Sequence, residues 1–153
     1  MKTKELPYLP LGWDILYVSA EDEFMVEARK SSEVLSTDRG HPTGAVVVKE
    51  GAIIGRGANH SLFHKQIGCV RKGLRGIFSV PSGKGYWTCY GCSPKFHAEQ
   101  QALRDVKKNG HDAGGADLYL WGHWWCCESC WEKMIDAGIA RVFLEEKAKE
   151  RVK

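Results

Sequence analysis

The chain has 153 residues, enough for one domain whose core buries roughly two-thirds of the unfolded surface without disulfide or metal staples. It is 43% hydrophobic and 27% charged, ordinary for a soluble globular protein, and its net charge of +3 is too weak to mark a nucleic-acid binder by itself. No run approaches the roughly 20 apolar residues of a membrane span. Met1-Lys2-Thr3-Lys4-Glu5 leads into no apolar secretory stretch, so the cytosol is the expected compartment.

Residues 1–12, with Pro7, Pro10 and Gly12, read as an extended N-terminal arm lying on the domain or on a neighbouring subunit. Phe24, Ala28 and Leu35, flanked by Met25 and Val34, follow helical spacing and predict a helix over about 21–35. It ends at Ser36-Thr37-Asp38-Arg39-Gly40. Residues 43–49 read as a buried strand, Glu50-Gly51 as a turn and 52–57 as the return strand. Residues 61–96 form a basic, glycine- and cysteine-rich insertion, too long for an idle loop. A helix is expected over about 96–109, a strand over 117–121, an aromatic turn over 122–126, a helix over 127–137 and a strand over 140–144. Gly138 serves as the C-cap of that second helix. Alternating helices and strands predict an α/β fold, with a mixed sheet covered on both faces. The whole chain, 1–153, reads as one domain.

Two stretches concentrate metal-ligand chemistry. His97-Ala98-Glu99 opens one helix and Cys127-Glu128-Ser129-Cys130 opens another. Zinc in a catalytic site takes three protein ligands and leaves one position to water. His97, Cys127 and Cys130 supply N, S and S. Cysteines three apart on a helix's first turn share a side, and a helix N-terminus favours thiolate over thiol. Glu99, two residues past the histidine, need not ligate. It can accept a proton from water activated at the metal and pass it to a substrate.

Six cysteines include two C-x-x-C pairs, which in a cytosolic chain point to metal or redox chemistry rather than disulfides. Cys69, Cys89 and Cys92 lie in the insertion, where His64 or His60 could complete a closed structural zinc site. Buried free thiols, or a redox pair of Cys89 and Cys92, are the competing readings. Between Ser61 and His97 there are six Lys or Arg and no acid. Arg71 and Arg75, then Lys72, are candidates for holding an anion through charge-assisted hydrogen bonds; a solvated basic face is the plain alternative. Trp124 and Trp125 can stack on a base or pack into the core.

H-x-E followed by P-C-x-x-C is the signature of zinc nucleobase deaminases. The sequence resembles the cytidine/deoxycytidylate deaminase superfamily, most closely its deoxycytidylate branch, over roughly residues 20–145. His97-Ala98-Glu99 and Cys127-x-x-Cys130 carry the resemblance. So do the run Met134-Ile135-x-Ala137-Gly138-Ile139-x-Arg141-Val142 and the segment Gly55-x-Gly57-x-Asn59. It implies a three-layer α/β/α fold with about five strands and a homo-oligomer. It also implies one catalytic zinc and, as in some relatives, a second structural zinc in the insertion. The implied reaction converts deoxycytidine monophosphate (dCMP) to dUMP and ammonia. Asn59 would hold the sugar, the insertion's arginines the phosphate, and backbone groups near Ala98 and Cys127 the base. Two rivals stand beside it. One is deamination of another nucleobase, in single-stranded nucleic acid, tRNA adenosine or guanine. The other is a zinc-stabilised binding module without catalysis. The sequence departs from the family pattern in one place: Cys126 replaces the proline before the first cysteine, Trp124 and Trp125 stand where an acidic residue is common, and the turn is about two residues longer.

Overall fold

The computed structural model describes residues 6–68 and 90–151. β2 (Gly44–Lys49) and β3 (Ala52–Ala58) pair as an antiparallel hairpin. Glu50 and Gly51 between them both take positive φ, 52° and 77°, as a two-residue hairpin turn requires. β4 (Asp117–Trp121) lies antiparallel on the other side of β2. β5 (Arg141–Glu145) then runs parallel to β4, and β1 (Leu16–Val18) parallel to β5 at the edge. The result is a mixed five-stranded sheet in the order β1-β5-β4-β2-β3.

Side-chain alternation divides the core in two. Ala45, Val47, Leu118, Leu120, Val142 and Leu144 face α3 (Ala98–Lys108) and α4 (Glu128–Asp136). Val46, Val48, Tyr119 and Phe143 face α1 (Glu23–Leu35). Period-two alternation sends neighbours to opposite faces, so three layers follow from the strand sequences. Parallel β4 and β5 need a crossover, and α4 is that crossover. No helix among the described residues is long and apolar enough to cross a membrane.

α1 buries only part of its apolar spacing, and Phe24 packs on the core. Its buried residues are Met25, Ala28, Ser31 and Ser32, whereas Val34 and Leu35 are exposed. The small serines let the helix approach β2: a methyl on Gly44 would come within 2.1 Å of the Ala28 carbonyl and 2.5 Å of the Ser32 nitrogen. Ser31 and Ser32 donate to the Glu27 and Arg29 carbonyls, so neither hydroxyl is buried without a partner. The helix starts at Glu23 because the Asp22 carboxylate accepts from the backbone of Phe24 and Met25, at 3.0 and 3.1 Å.

The described part of the arm, residues 6–12, meets the domain through Tyr8. Tyr8 and Trp13 pack against the α3–α4 side of the core, with Trp13 5.6 Å from the fully buried Trp131. In the described parts of the insertion, α2 (Leu62–Gln66) and short 3-10 turns at Tyr90–Cys92 and Pro94–Phe96 give local structure. Tyr90 meets Phe63 and Phe96 edge-on at 6.1 and 5.3 Å, which pins the first turn. A last helix, α5 (Ala148–Arg151), follows β5.

Gly55 and Gly57 explain how α3 is seated. A methyl on Gly57 would lie 2.3 Å from the Ala102 nitrogen and 2.7 Å from the Ala98 carbonyl, both backbone atoms of α3. Neither can move without shifting the helix that begins after His97. Gly57→Ala is expected to cost about 1–3 kcal/mol through overpacking, read as a lower midpoint in denaturant unfolding.

Candidate active site

His97 and Cys127 are the N-cap residues of α3 and α4. Their backbones are extended (φ −64°, ψ 151° and φ −71°, ψ 160°), and the caps' carbonyls accept from Gln101 and Trp131, each at 3.0 Å. Neither side chain makes a capping hydrogen bond. Ser, Thr, Asp or Asn would ordinarily stand here, and forgoing one costs about 1 kcal/mol per helix. Two caps given up at adjoining helix mouths mark a place where the side chains serve something else.

They converge. His97 Nδ1 lies 3.6 Å from the sulfurs of both Cys127 and Cys130. The three ligand atoms all fall within 4.8 Å of one another. Zinc–nitrogen and zinc–sulfur bonds of about 2.0–2.1 and 2.3 Å in a tetrahedron separate N from S by about 3.6 Å. The donor set therefore fits zinc in both chemistry and spacing. The other ring nitrogen, Nε2, faces the Cys92 carbonyl at 3.1 Å. A carbonyl only accepts, so Nε2 carries a proton and Nδ1 is the ring nitrogen left facing the two sulfurs, a lone-pair donor once a metal is bound.

The electrostatics suit a cation. Hydrogen bonds from Cys130 and His97 hold the Cys127 thiol down to about 4, against the opposing effect of burial. Burial pushes the Cys130 thiol well up, with the anionic neighbours adding to it. One thiolate is thus ready and the second awaits a positive charge. Burial works against a charged His97, yet the Cys127 and Glu99 partners lift it above its ordinary value. Glu99, only 5% exposed in the first turn of α3, has its carboxyl raised by burial, partly offset by His97. A carboxyl with that bias holds and releases a proton readily.

Cys126 is no ligand in this arrangement. Its side chain is fully buried in the α3–α4 core and lies outside the ligand group, and burial pushes its thiol well up. It fills core volume where the family pattern has a proline. Of the two tryptophans beside it, Trp125 is buried; Trp124 is half-buried, with the Lys149 ammonium 4.9 Å from its ring centre.

Asn59 stands just past β3 and is built into the scaffold. Its Oδ1 accepts from the Thr43 backbone at 2.9 Å and from the Ser36 hydroxyl, and its Nδ2 donates to the His41 carbonyl at 2.8 Å. It brackets the α1–β2 loop to the end of β3. That loop and α2 enclose an open cavity of about 720 Å³ lined by Ser36–Gly40, His60 and His64–Gly68, with Arg39 and Lys65 on its walls. His64 links it to the metal group: its Nε2 is 3.5 Å from the Cys92 sulfur, and Cys92 supplies the carbonyl facing His97. Gly91 makes that approach possible, since a methyl there would fall 2.3 Å from the His64 ring. Cys69, Cys89, Arg71 and Arg75 lie outside the described residues.

Sequence reasoning missed Arg39, the Cys92 carbonyl and Gln100. Gln100 is 5% exposed, and its amide nitrogen donates to Ser129 Oγ at 3.1 Å and to Cys130 Sγ at 3.6 Å. Its place in the first turn of a helix opened by a metal ligand was the available signal.

A His-Cys-Cys metal group with a buried carboxyl at the same helix mouth is the equipment of a zinc hydrolase. The family model for the cytidine and deoxycytidylate deaminase zinc-binding region matches residues 18–146, and the chain belongs to that family. Among solved structures, the dCMP deaminase of cyanophage S-TIM5 in apo form is similar at 25% identity, covering 84% of this chain and 86% of that one, with a TM-score of 0.50. A diaminohydroxyphosphoribosylaminopyrimidine deaminase/5-amino-6-(5-phosphoribosylamino)uracil reductase from Thermotoga maritima is similar at 24% identity, covering 79% of this chain and 28% of that one (TM-score 0.47). The guanine deaminase of Bacillus subtilis is similar at 25%, covering 72% and 54% (TM-score 0.40). No match was found among curated proteins.

Proposed function

We propose that the chain hydrolytically deaminates a cytosine nucleotide, dCMP to dUMP and ammonia. The observation that carries this reading is the meeting of His97, Cys127 and Cys130 at two helix mouths with Glu99 buried beside them. The deoxycytidylate-like motifs and the similarity to a cyanophage dCMP deaminase support the choice of substrate.

Zinc bound by the three residues supplies Lewis acidity, which lowers the pKa of water to about 7. Glu99 takes a proton from the attacking water and delivers it to the ring nitrogen beside the amino-bearing carbon. A second transfer through the same carboxyl protonates the amino group, which leaves as ammonia. First-turn backbone N–H groups of α3 and α4, near Ala98 and Cys127, have no partners within their helices and orient the base. Asn59, whose amide is engaged with Ser36, His41 and Thr43, acts on the sugar by fixing the loop on which it rests, while Trp124 borders the base.

We place the phosphate in the cavity beside α2, which Arg39 and Lys65 line; Arg71 and Arg75 remain candidates from the sequence and lie outside the described residues. Arg39→Ala should raise KM for dCMP about tenfold or more and leave the free nucleoside's KM nearly unchanged, because a charge-assisted hydrogen bond to phosphate is worth about 1.5–3 kcal/mol. Equal effects on both substrates would remove Arg39 from that role.

We further propose a second, structural zinc held by His64 and Cys92 together with Cys69 and Cys89. The 3.5 Å His64–Cys92 contact supports it. Elemental analysis of the purified protein should then give two zinc ions per chain; one would sink the second site. Leu16 and Tyr17, exposed on edge strand β1, support self-association, which light scattering checks. Cys126, Cys127 and Cys130 form no disulfide, which suits a reducing compartment such as the cytosol.

A panel of dCMP, CMP, dCTP, cytidine and a cytosine-containing oligonucleotide tests the substrate. Fastest turnover of dCMP is expected. Turnover of the oligonucleotide alone, with strongly salt-dependent binding, would overturn the mononucleotide reading.

A further inference from the structure

Gln100 occupies the third position of α3's first turn, after His97 as N-cap. A glutamine there commonly folds back to the cap's backbone N–H. In this chain that N–H is already taken: His97 donates to the Pro94 carbonyl at 3.0 Å. The Gln100 amide instead crosses to the next helix. One of its N–H groups meets Ser129 Oγ at 3.1 Å and the other approaches Cys130 Sγ at 3.6 Å. The orientation of the amide follows from chemistry, since a thiolate can only accept and the nitrogen must face it. Gln100 and Cys130 are both buried, so water does not compete for either group.

A buried amide needs partners simply to be tolerated, and Ser129 alone provides one. The approach to sulfur does something else. Cys130 is the more deeply buried of the two thiol ligands, so no water is at hand to solvate a charged sulfur there. We propose that Gln100 is a positioning residue of the metal centre: its amide donates to the metal-bound Cys130 sulfur, fixing that ligand and drawing charge from it. Groups that hold a ligand in this way commonly contribute 10–100-fold to metal affinity. The proposal rests on the metal ligand set given above.

The test uses the full chain loaded with Co(II), whose thiolate-to-metal charge-transfer absorption reports the energy of the sulfur lone pair. Gln100→Met keeps length and apolar packing but has no donor; Gln100→Leu repeats the loss with a different shape. Both should move the charge-transfer band to lower energy, since an unbonded sulfur holds its electrons less tightly. Both should also weaken metal binding about tenfold in chelator competition. Ser129→Ala removes only the other acceptor and should leave the band in place. Superimposable spectra for wild type and the Gln100 variants would overturn the proposal. So would weaker binding without a band shift, which a loss of helix packing alone would produce. A wild-type protein with no thiolate–cobalt band would overturn the ligand set itself, and this inference with it.

Discussion

Glu99→Gln should lower turnover about 10²–10⁴-fold while zinc content stays at the wild-type value. The substitution keeps the volume and removes only the proton-carrying group. Glu99 sits in the first turn of α3, buried, beside but not among the ligand atoms. On the proposed reading, metal binding and proton transfer fall to different residues at the mouth of α3, so a single substitution separates them. Burial raises the carboxyl, so it is poised to hold a proton between the attack on the base and the departure of ammonia. Elemental analysis and steady-state rates on the same preparation check both halves. Retained activity would remove Glu99 from its role; lost zinc would make it a ligand.

Cys127→Ser should abolish turnover and remove one zinc per chain, whereas Cys126→Ala should keep that zinc. The adjacent cysteines look alike in sequence. In the structure Cys127 caps α4 and faces His97 at 3.6 Å, while Cys126 is turned into the core with a thiol pushed well up by burial. A serine hydroxyl is not ionised near neutrality and is a poor zinc donor, so Cys127→Ser loses the anionic ligand. Cys126→Ala loses packing only, and the variant should unfold at a lower denaturant concentration while staying loaded. Zinc lost from Cys126→Ala and kept by Cys127→Ser would reverse the ligand assignment.

How much of this was legible in sequence depends on what each element answers to. The strands over 44–49, 117–121 and 141–145 are continuous apolar runs because both sheet faces are covered, and runs of that kind are visible. α3 and α4 announced themselves through apolar spacing and their chemistry at the N-terminus. β1 did not: Leu16–Val18 is three residues, largely exposed, and is a strand only because β5 lies beside it. On α1 the apolar spacing reports only part of the buried face: Met25 and Ala28 are buried and Phe24 packs on the core, but Val34 and Leu35 are exposed. Ser31 and Ser32 are buried instead, because close approach to Gly44 demands small side chains.

The site divides along the same line. His97, Glu99, Cys127 and Cys130 are few-residue patterns at helix starts, and the structure brings the ligand atoms of His97, Cys127 and Cys130 together. What holds them is contributed by distant segments that carry no motif. The Cys92 carbonyl sets the His97 tautomer, and Gly57 lets α3 sit on β3. Asn59 stood out by its pattern, but its bonds to Ser36, His41 and Thr43 depend on a loop about twenty residues upstream meeting the end of β3. That meeting is tertiary, and no local rule exposes it.

The most direct test of the proposed activity is to incubate the zinc-loaded wild-type chain with dCMP and separate the nucleotides by chromatography, with ammonia measured in the same reaction. Equimolar dUMP and ammonia, absent from a parallel reaction with Glu99→Gln, is the expected result. Unchanged dCMP, CMP and cytidine from a protein shown to hold zinc on His97, Cys127 and Cys130 would contradict it.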